Sequence, residues 1–352
     1  MNIQQLLDLT VARNASDLHL VVGYPPMIRL HGELIPVVGS EELSDSDLGS
    51  LVLPTLTPAQ KKAFDETFEL DFALAFAGKA RFRVNIFRQQ NHISAAFRFI
   101  PLNIPELSSL GLPPVIDKLV ELRQGLVLVT GPTGHGKSTT LAALISKINQ
   151  TRTAHILTIE DPIEYVYPKA KGVVSQREML IDTKSWANAL KAALREDPDV
   201  VLVGEMRDPE TIAATITIAE TGHLVFATLH TNSASQTVDR IIDAFPSSQQ
   251  PQVRVQLAAT LEAIISQRLV PTINPGRTLA VELLLKTSAL GELIRSNKTY
   301  MIDNLIQTSG ELGMISLENS LVKLVQSKKI SFENAQAYSL RPDLLAKIIS
   351  GS

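Results

Sequence analysis

The chain has 352 residues, 45% of them hydrophobic and 20% charged, which is more than one hydrophobic core usually serves, so two domains are expected. A formal net charge of −3, from 33 basic and 36 acidic side chains, gives no support for bulk nucleic-acid binding. The absence of cysteine excludes disulfides and thiolate metal sites.

No apolar run approaches the roughly 18 residues needed to span a bilayer. The start, Met1 to Asp8, lacks the basic and then long apolar regions of a signal peptide. A cytoplasmic protein is expected, without direct membrane insertion.

Residues 1–100 read as a small α+β unit. Ile3–Ala12 has helical spacing, and Leu18–Val22, Met27–Leu30 and Glu33–Val38 read as strands, with Gly23, Pro25 and Pro26 as breakers. Two more strands, Ala80–Arg88 and Ile93–Ile100, flank the polar Gln89–His92. In the first of them Phe82, Val84 and Ile86 share one face, and Arg81, Arg83 and Asn85 share the other. Hairpin pairing would bring Arg83 and Arg98 onto one basic face. Pattern alone favours a solvated face there; the sharper reading has the guanidinium groups completing a phosphate site. Pro101–Pro114 carries four prolines and is the natural domain boundary and hinge.

Beyond it, strand-like runs alternate with helix-like ones. The expected strands are Gly125–Thr130, His155–Ile159, Val200–Gly204, Leu224–Thr228 and Leu279–Leu285. The expected helices include Thr139–Asn149, Ser185–Arg195, Pro209–Thr221 and Val253–Gln267. This pattern predicts a largely parallel sheet covered on both faces, with an all-helical segment from about Ala289 onward.

Between the first of these strands and its helix lies Gly131-Pro132-Thr133-Gly134-His135-Gly136-Lys137-Ser138, a phosphate loop in the strand–loop–helix context it requires. Thr133, Gly134, His135, Gly136, Lys137, Ser138 and Thr139 are the candidate nucleotide-binding residues. Lys137 would reach the β- and γ-phosphates, and the Ser138 hydroxyl would ligate Mg²⁺. A glycine turn without a ligand is the plainer alternative, and both flanks argue against it.

Glu160, Asp161 and Glu164 follow the next strand, on the rim where parallel sheets bind ligands. A carboxylate there can orient or deprotonate a water; a solvated acidic loop is the alternative. Val200–Gly204 ends in Glu205, a Walker B pattern whose carboxylate would hold the Mg²⁺ shell. Arg207 and Asp208 could pair with each other. His223 and His230 stand at the two ends of a further strand, an odd number of residues apart. Both can face one ligand only if one lies in a loop or a bulge intervenes. The surrounding spacing does not suggest a metal site.

These boxes in this order, Gly131–Ser138, Ile159–Glu164, Asp197–Asp208 and Thr221–His230, resemble those of the secretion and pilus hexameric ATPases. Ala15–Leu20, Pro25–Arg29 and Val238–Pro246 resemble that family too, so the likeness runs from about residue 3 to 345. The fold it implies is an N-terminal PAS-like α+β domain (1–103), a flexible linker (104–117) and a RecA-like P-loop ATPase domain (118–352) with a helical subdomain from about 289. The chain resembles most the motors that retract type IV pili, because it begins with the small domain and lacks a four-cysteine zinc insertion.

The resemblance implies an ATP- and Mg²⁺-dependent homohexamer at the cytoplasmic face of the inner membrane, acting on the pilus platform protein. It implies Glu164 as general base, Glu205 as the magnesium-site carboxylate, and His223 and His230 as γ-phosphate contacts. It also implies Arg83 and Arg98 as phosphate-facing arginines supplied by a neighbouring subunit, which reverses the pattern-only preference for a solvated face. Two departures stand out. His135 occupies a loop position where serine is commoner, and Gly291 and Glu292 replace a polar pair in the helix that matters for retraction. Alternatives are a pilus-assembly, type II secretion or accessory retraction ATPase, and, outside that class, a non-hydrolysing nucleotide-binding regulator. A P-loop kinase fits less well, since no small-molecule acceptor site is apparent.

Overall fold

The computed structural model describes every residue except His31, Ala77, Lys79, Leu102 and Ser352, and the side chain of Pro101. The chain forms two compact units, Met1–Asn103 with Pro162–Val166, and Ile104–Asp161 with Tyr167–Ser352.

The first unit is a six-stranded antiparallel sheet: β1 (Asp17–Leu20), β2 (Met27–Leu30), β3 (Glu33–Pro36), β4 (Glu69–Phe76), β5 (Ala80–Gln89) and β6 (His92–Pro101), in the order β3-β2-β1-β6-β5-β4. The strict alternation in β5 is realised as expected: Phe82, Val84 and Ile86 are buried, and Arg81, Arg83 and Asn85 are partly exposed. Phe82 packs edge-on against Phe76 and Phe97, with ring centroids 6.0 and 6.5 Å away. The helices Ile3–Ala12, Asp45–Val52 and Pro58–Thr67 each open with a capping box, on Asn2, Ser44 and Thr57.

The β5–β6 connection is a two-residue turn, Gln90-Asn91, both at positive φ, which suits the twist of a tight hairpin. That turn fixes the register and sets Arg83 directly opposite Arg98. The edge strand β4 is an addition to the sequence expectation. Its Ala73 and Ala75 dilute the β-branched and aromatic signal that marks strands.

The second unit carries β7 (Gly125–Thr130), β8 (His155–Glu160), β9 (Val173–Glu178), β10 (Val200–Val203), β11 (Leu224–Leu229), β12 (Leu261–Pro271) and β13 (Arg277–Leu285). Their order is β13-β12-β7-β11-β10-β8-β9, parallel throughout except for the β12–β13 hairpin. Alternate residues of the central strands feed two cores. Leu126, Leu128, Val201, Val203 and Val225 face one, while Val127, Val129, Val200, Leu202 and Phe226 face the other. The phosphate-loop helix, Lys137–Thr151, covers the second face with Leu141, Leu144 and Ile148.

One expectation needs correcting here. The helix expected over 253–267 runs only from Gln250 to Thr260, and the chain then enters β12, a strand buried between β7 and β13. The 104–117 stretch lies within the second unit, with Leu107 and Ile116 buried in its core; Leu102, at the start of the expected hinge, is outside the described residues. From Ser288 onward the chain is helical, and Leu317, Leu321, Ile330, Ala335 and Leu345 pack a small core onto Val270 of β12. Among the described residues no helix is long and apolar enough to cross a membrane.

Candidate active site

The strands β7, β11, β10 and β8 are parallel neighbours that end at one edge of the large sheet, and their order decides which chemical groups meet. Because β11 lies between β7 and β10, the residue after β11 stands between the loop after β7 and the carboxylate after β10. That residue is His230. Its Nδ1 lies 3.3 Å from both the Lys137 ammonium and the Thr133 hydroxyl, and its Nε2 lies 3.2 Å from Glu205 Oε1. An ammonium can only donate, so Nδ1 is the acceptor and Nε2 carries the proton offered to Glu205. One imidazole thus links the phosphate loop to the Walker B carboxylate.

The loop has the backbone shape that a polyphosphate requires. Gly131, Gly134 and Gly136 sit at φ of +139°, +79° and +83°. A Cβ on Gly131 would fall 2.3 Å from the Gln267 carbonyl oxygen, so no side chain fits there. The helix Lys137–Thr151 starts at Gly136 with no side-chain cap, leaving its first N–H groups for an anion at the positive end of the helix. Lys137 is buried, its ammonium donating to the carbonyls of Gly131 and Pro132 at 2.7 and 3.0 Å.

Strand β12 braces the loop from the other side. Ser266 Oγ bonds Thr130 Oγ1 at 2.8 Å, the Gln267 amide donates to the His135 carbonyl at 2.8 Å, and the Leu269 N–H donates to His135 Nδ1 at 3.0 Å. The His135 ring lies against Tyr338, with centroids 6.3 Å apart. Burial lowers the His135 pKa, and nearby Arg268, Lys137 and Arg277 lower it further, which suits a neutral ring with Nδ1 as acceptor.

Glu205 is held on its second oxygen by Arg207 at 2.8 Å. The possible Arg207–Asp208 pair is therefore replaced: Asp208 instead caps the helix Pro209–Glu220, accepting the Thr211 N–H at 2.8 Å. Glu205, Arg207, His230, Asn232, Gln236 and Arg240 line an open cleft of about 400 Å³. At the end of β8, Glu160 accepts from Thr158 Oγ1 at 2.7 Å and from the Gln176 amide at 3.3 Å. Asp161 is exposed, and Glu164 lies in Pro162–Val166, the segment that belongs to the first unit.

The two histidines do not come together. Leu224 of β11 pairs with Gly125 and Leu229 pairs with Thr130, so His223 stands at the amino edge and His230 at the carboxyl edge of the sheet. Seven residue steps at about 3.3 Å each separate them by roughly 23 Å. His223 Nδ1 is instead 3.0 Å from the Ile218 carbonyl and 3.1 Å from Thr221 Oγ1, closing the preceding helix. Within one chain His223 thus stands at the edge of the sheet opposite the phosphate loop. The odd spacing allowed a shared ligand only with one histidine in a loop or a bulge between them; the strand spans Leu224–Leu229, and its parallel register puts the two histidines at opposite edges.

In the first unit Arg83 and Arg98 are cross-strand partners, as the hairpin pattern implied. Asp17 was not read from the sequence as a functional residue, although Ser16-Asp17-Leu18-His19 carried part of the resemblance. It is buried, with Oδ1 3.0 Å from Arg98 Nε and Oδ2 3.6 Å from Arg29 Nε.

The sequence model of the family described as Type II/IV secretion system protein matches residues 72–335. The type IV pilus retractation ATPase PilT of Pseudomonas aeruginosa is 46% identical over 97% of this chain and 99% of its own length. A twitching motility protein of Neisseria gonorrhoeae is 47% identical over 88% of this chain and 83% of its own. A crystal structure of the pilus retraction motor PilT with bound ADP matches at a TM-score of 0.90 and 44% identity, covering 99% of each chain.

Proposed function

The chain belongs to the Type II/IV secretion system protein family, and from that membership we propose that it is the ATP-hydrolysing motor of type IV pilus retraction. The observation that carries this reading is the Thr133–Lys137–His230–Glu205 cluster, which joins the loop, the histidine box and the Walker B strand in one site. Full-length likeness to proteins named for retraction and twitching supports the direction of the motor.

In this reading ATP lies with its phosphates on Thr133, Gly134, His135, Gly136, Lys137, Ser138 and Thr139. Lys137 moves its ammonium from the loop carbonyls to the β- and γ-phosphates. His230 reports the occupancy of the loop to Glu205, because its two nitrogens touch both.

Among the described residues no cluster of three or more His, Cys, Asp or Glu could hold a metal alone. The Ser138 hydroxyl and the Glu205 carboxylate fit an ion that takes its remaining ligands from phosphate and water. Mg²⁺ there would neutralise charge on the transferred phosphoryl group. Glu164 serves as the general base that orients and deprotonates the attacking water, and Arg83 and Arg98 of a neighbouring subunit complete the charge stabilisation. The working form is a homohexamer at the cytoplasmic face of the inner membrane, turning the pilus platform protein.

The test is complementation of a deletion strain. Deletion is expected to leave surplus surface pili, and the wild-type chain to restore their normal number. The Glu164→Gln chain should bind ATP, lose about a hundredfold or more in phosphate release, and fail to complement. Bald cells on deletion would reassign the motor to assembly, and a wild-type hydrolysis rate in the variant would remove Glu164 as the base.

A further inference from the structure

One face of the small sheet carries four charged side chains in a single row. Arg29 of β2 pairs with Asp17 of β1, Asp17 pairs with Arg98 of β6, and Arg98 pairs with Arg83 of β5. Three cations thus stand in neighbouring register positions around one carboxylate. Arg83 and Arg98 are like charges directly opposite, an arrangement that repels on its own.

The carboxylate is used on both oxygens. Asp17 Oδ1 accepts from Arg98 Nε at 3.0 Å, and Oδ2 accepts from Ser16 Oγ at 2.8 Å and faces Arg29. The Asp17 side chain is 11% exposed, whereas that of Arg98 is 59% exposed. A buried anchor therefore grips an exposed arm. The grip is on Nε, the base of the guanidinium fork, and the two terminal nitrogens of Arg98 extend beyond it with no hydrogen bond of their own among the described residues. An ungripped arginine samples many rotamers, and ordering it costs side-chain entropy. Holding it beforehand removes that cost from the step in which it meets phosphate.

We propose that Asp17 is the positioning residue for Arg98: it fixes the Nε edge so that the free fork is presented to the phosphates bound by a neighbouring subunit. The proposal rests on the assignment of Arg98 as a phosphate-facing arginine, so its test treats the two assignments separately. Steady-state hydrolysis is measured for Asp17→Asn, Arg98→Ala and the double variant, with thermal unfolding as a check on the fold.

Asp17→Asn is expected to lower kcat by about tenfold to a hundredfold, with KM for ATP changed by less than about threefold. The double variant is expected to be no slower than Arg98→Ala. A double variant slowed by the product of the two single effects would show that Asp17 acts elsewhere, and a wild-type kcat in Asp17→Asn would also overturn the proposal. A wild-type kcat in Arg98→Ala would instead sink the arginine assignment, and the proposal with it. Should Asp17→Asn not fold, Ser16→Ala removes the hydrogen bond on Oδ2, along with a longer one of 3.4 Å to the Arg29 carbonyl, and leaves the Asp17–Arg98 contact in place. Its smaller loss of kcat should vanish in the Arg98→Ala background, and an undiminished loss there would overturn the proposal.

Discussion

In the large unit the proposed phosphate-loop, Walker B and histidine groups stand beyond the ends of strands, whereas in the small unit the proposed arginines and their carboxylate stand within them. Lys137, Glu205 and His230 follow β7, β10 and β11 and are brought together by strand order. Arg83, Arg98 and Asp17 are strand residues placed by cross-strand register. The difference teaches how separable chemistry is from folding. A residue past a strand end can change while the buried strand holds. A residue inside an antiparallel strand keeps its face only as long as the register does, and a slip of one residue would turn it over.

The sharpest way to break this comparison is in the small core. Phe82 is fully buried between Phe76 and Phe97 and adjoins Arg83, so Phe82→Ala should destabilise the first unit by about 3–5 kcal/mol. Hydrolysis should fall with it while ATP binding to the large unit persists. Loss of both together in a nucleotide-binding titration would show that the units are not separable in this sense.

A smaller effect is expected inside the large unit. Glu282 is buried, accepts the Ala234 N–H at 2.7 Å, and has its pKa pushed up to about 7, first by burial and then by Asp303 and Glu318. A folded pKa above the unfolded value means that the folded state holds the proton more tightly. That contribution is complete below about pH 4.5 and is lost as pH rises through about 7. The loss is on the order of 3 kcal/mol. Glu282→Gln keeps the acceptor and should flatten the fall in stability between pH 5 and pH 8. Equal slopes in denaturant unfolding would refute this account.

The smallest effect concerns the loop itself. His135→Ser gives up the Leu269 hydrogen bond and the Tyr338 contact, and about 1 kcal/mol of stability is expected to go with them. ATP affinity should change by less than about threefold, because the loop holds phosphate through its backbone. A tenfold loss of affinity would show that the side chain matters to the ligand.

The parts legible in the sequence were those with local signatures. Glycine spacing marked the loop, alternation marked β5, and apolar runs marked β7, β10 and β11. What escaped notice depended on tertiary surroundings. Leu261–Pro271 follows a helix and carries Ser266, Gln267 and Arg268, so it reads as helix continued. Ser266 and Gln267 are buried because Thr130 and the phosphate loop supply their partners. β9, Val-Val-Ser-Gln-Arg-Glu, is an edge strand with too little apolar content to declare itself. The bond between Glu205 and Arg207, and that between Asp17 and Arg98, join residue types too common to signal anything before their backbones are placed.

Strand β12 has a mechanical consequence. Over Ser266–Leu269 it is bonded to the phosphate loop, and over the overlapping stretch Arg268–Pro271 it is bonded to the terminal helices. Arg268 donates to the Tyr338 carbonyl at 3.3 Å, and the Asn334 amide donates to the Pro271 carbonyl at 3.1 Å. Along this stretch β12 is paired with β13 throughout and with β7 as far as Ser266, and such pairing resists shear along the strand. β12 thus offers a direct hydrogen-bonded path between those helices and the phosphate loop. If phosphate is bound there, force on the helices and grip on phosphate are reciprocal quantities by linkage: whatever one does to the other is returned in kind.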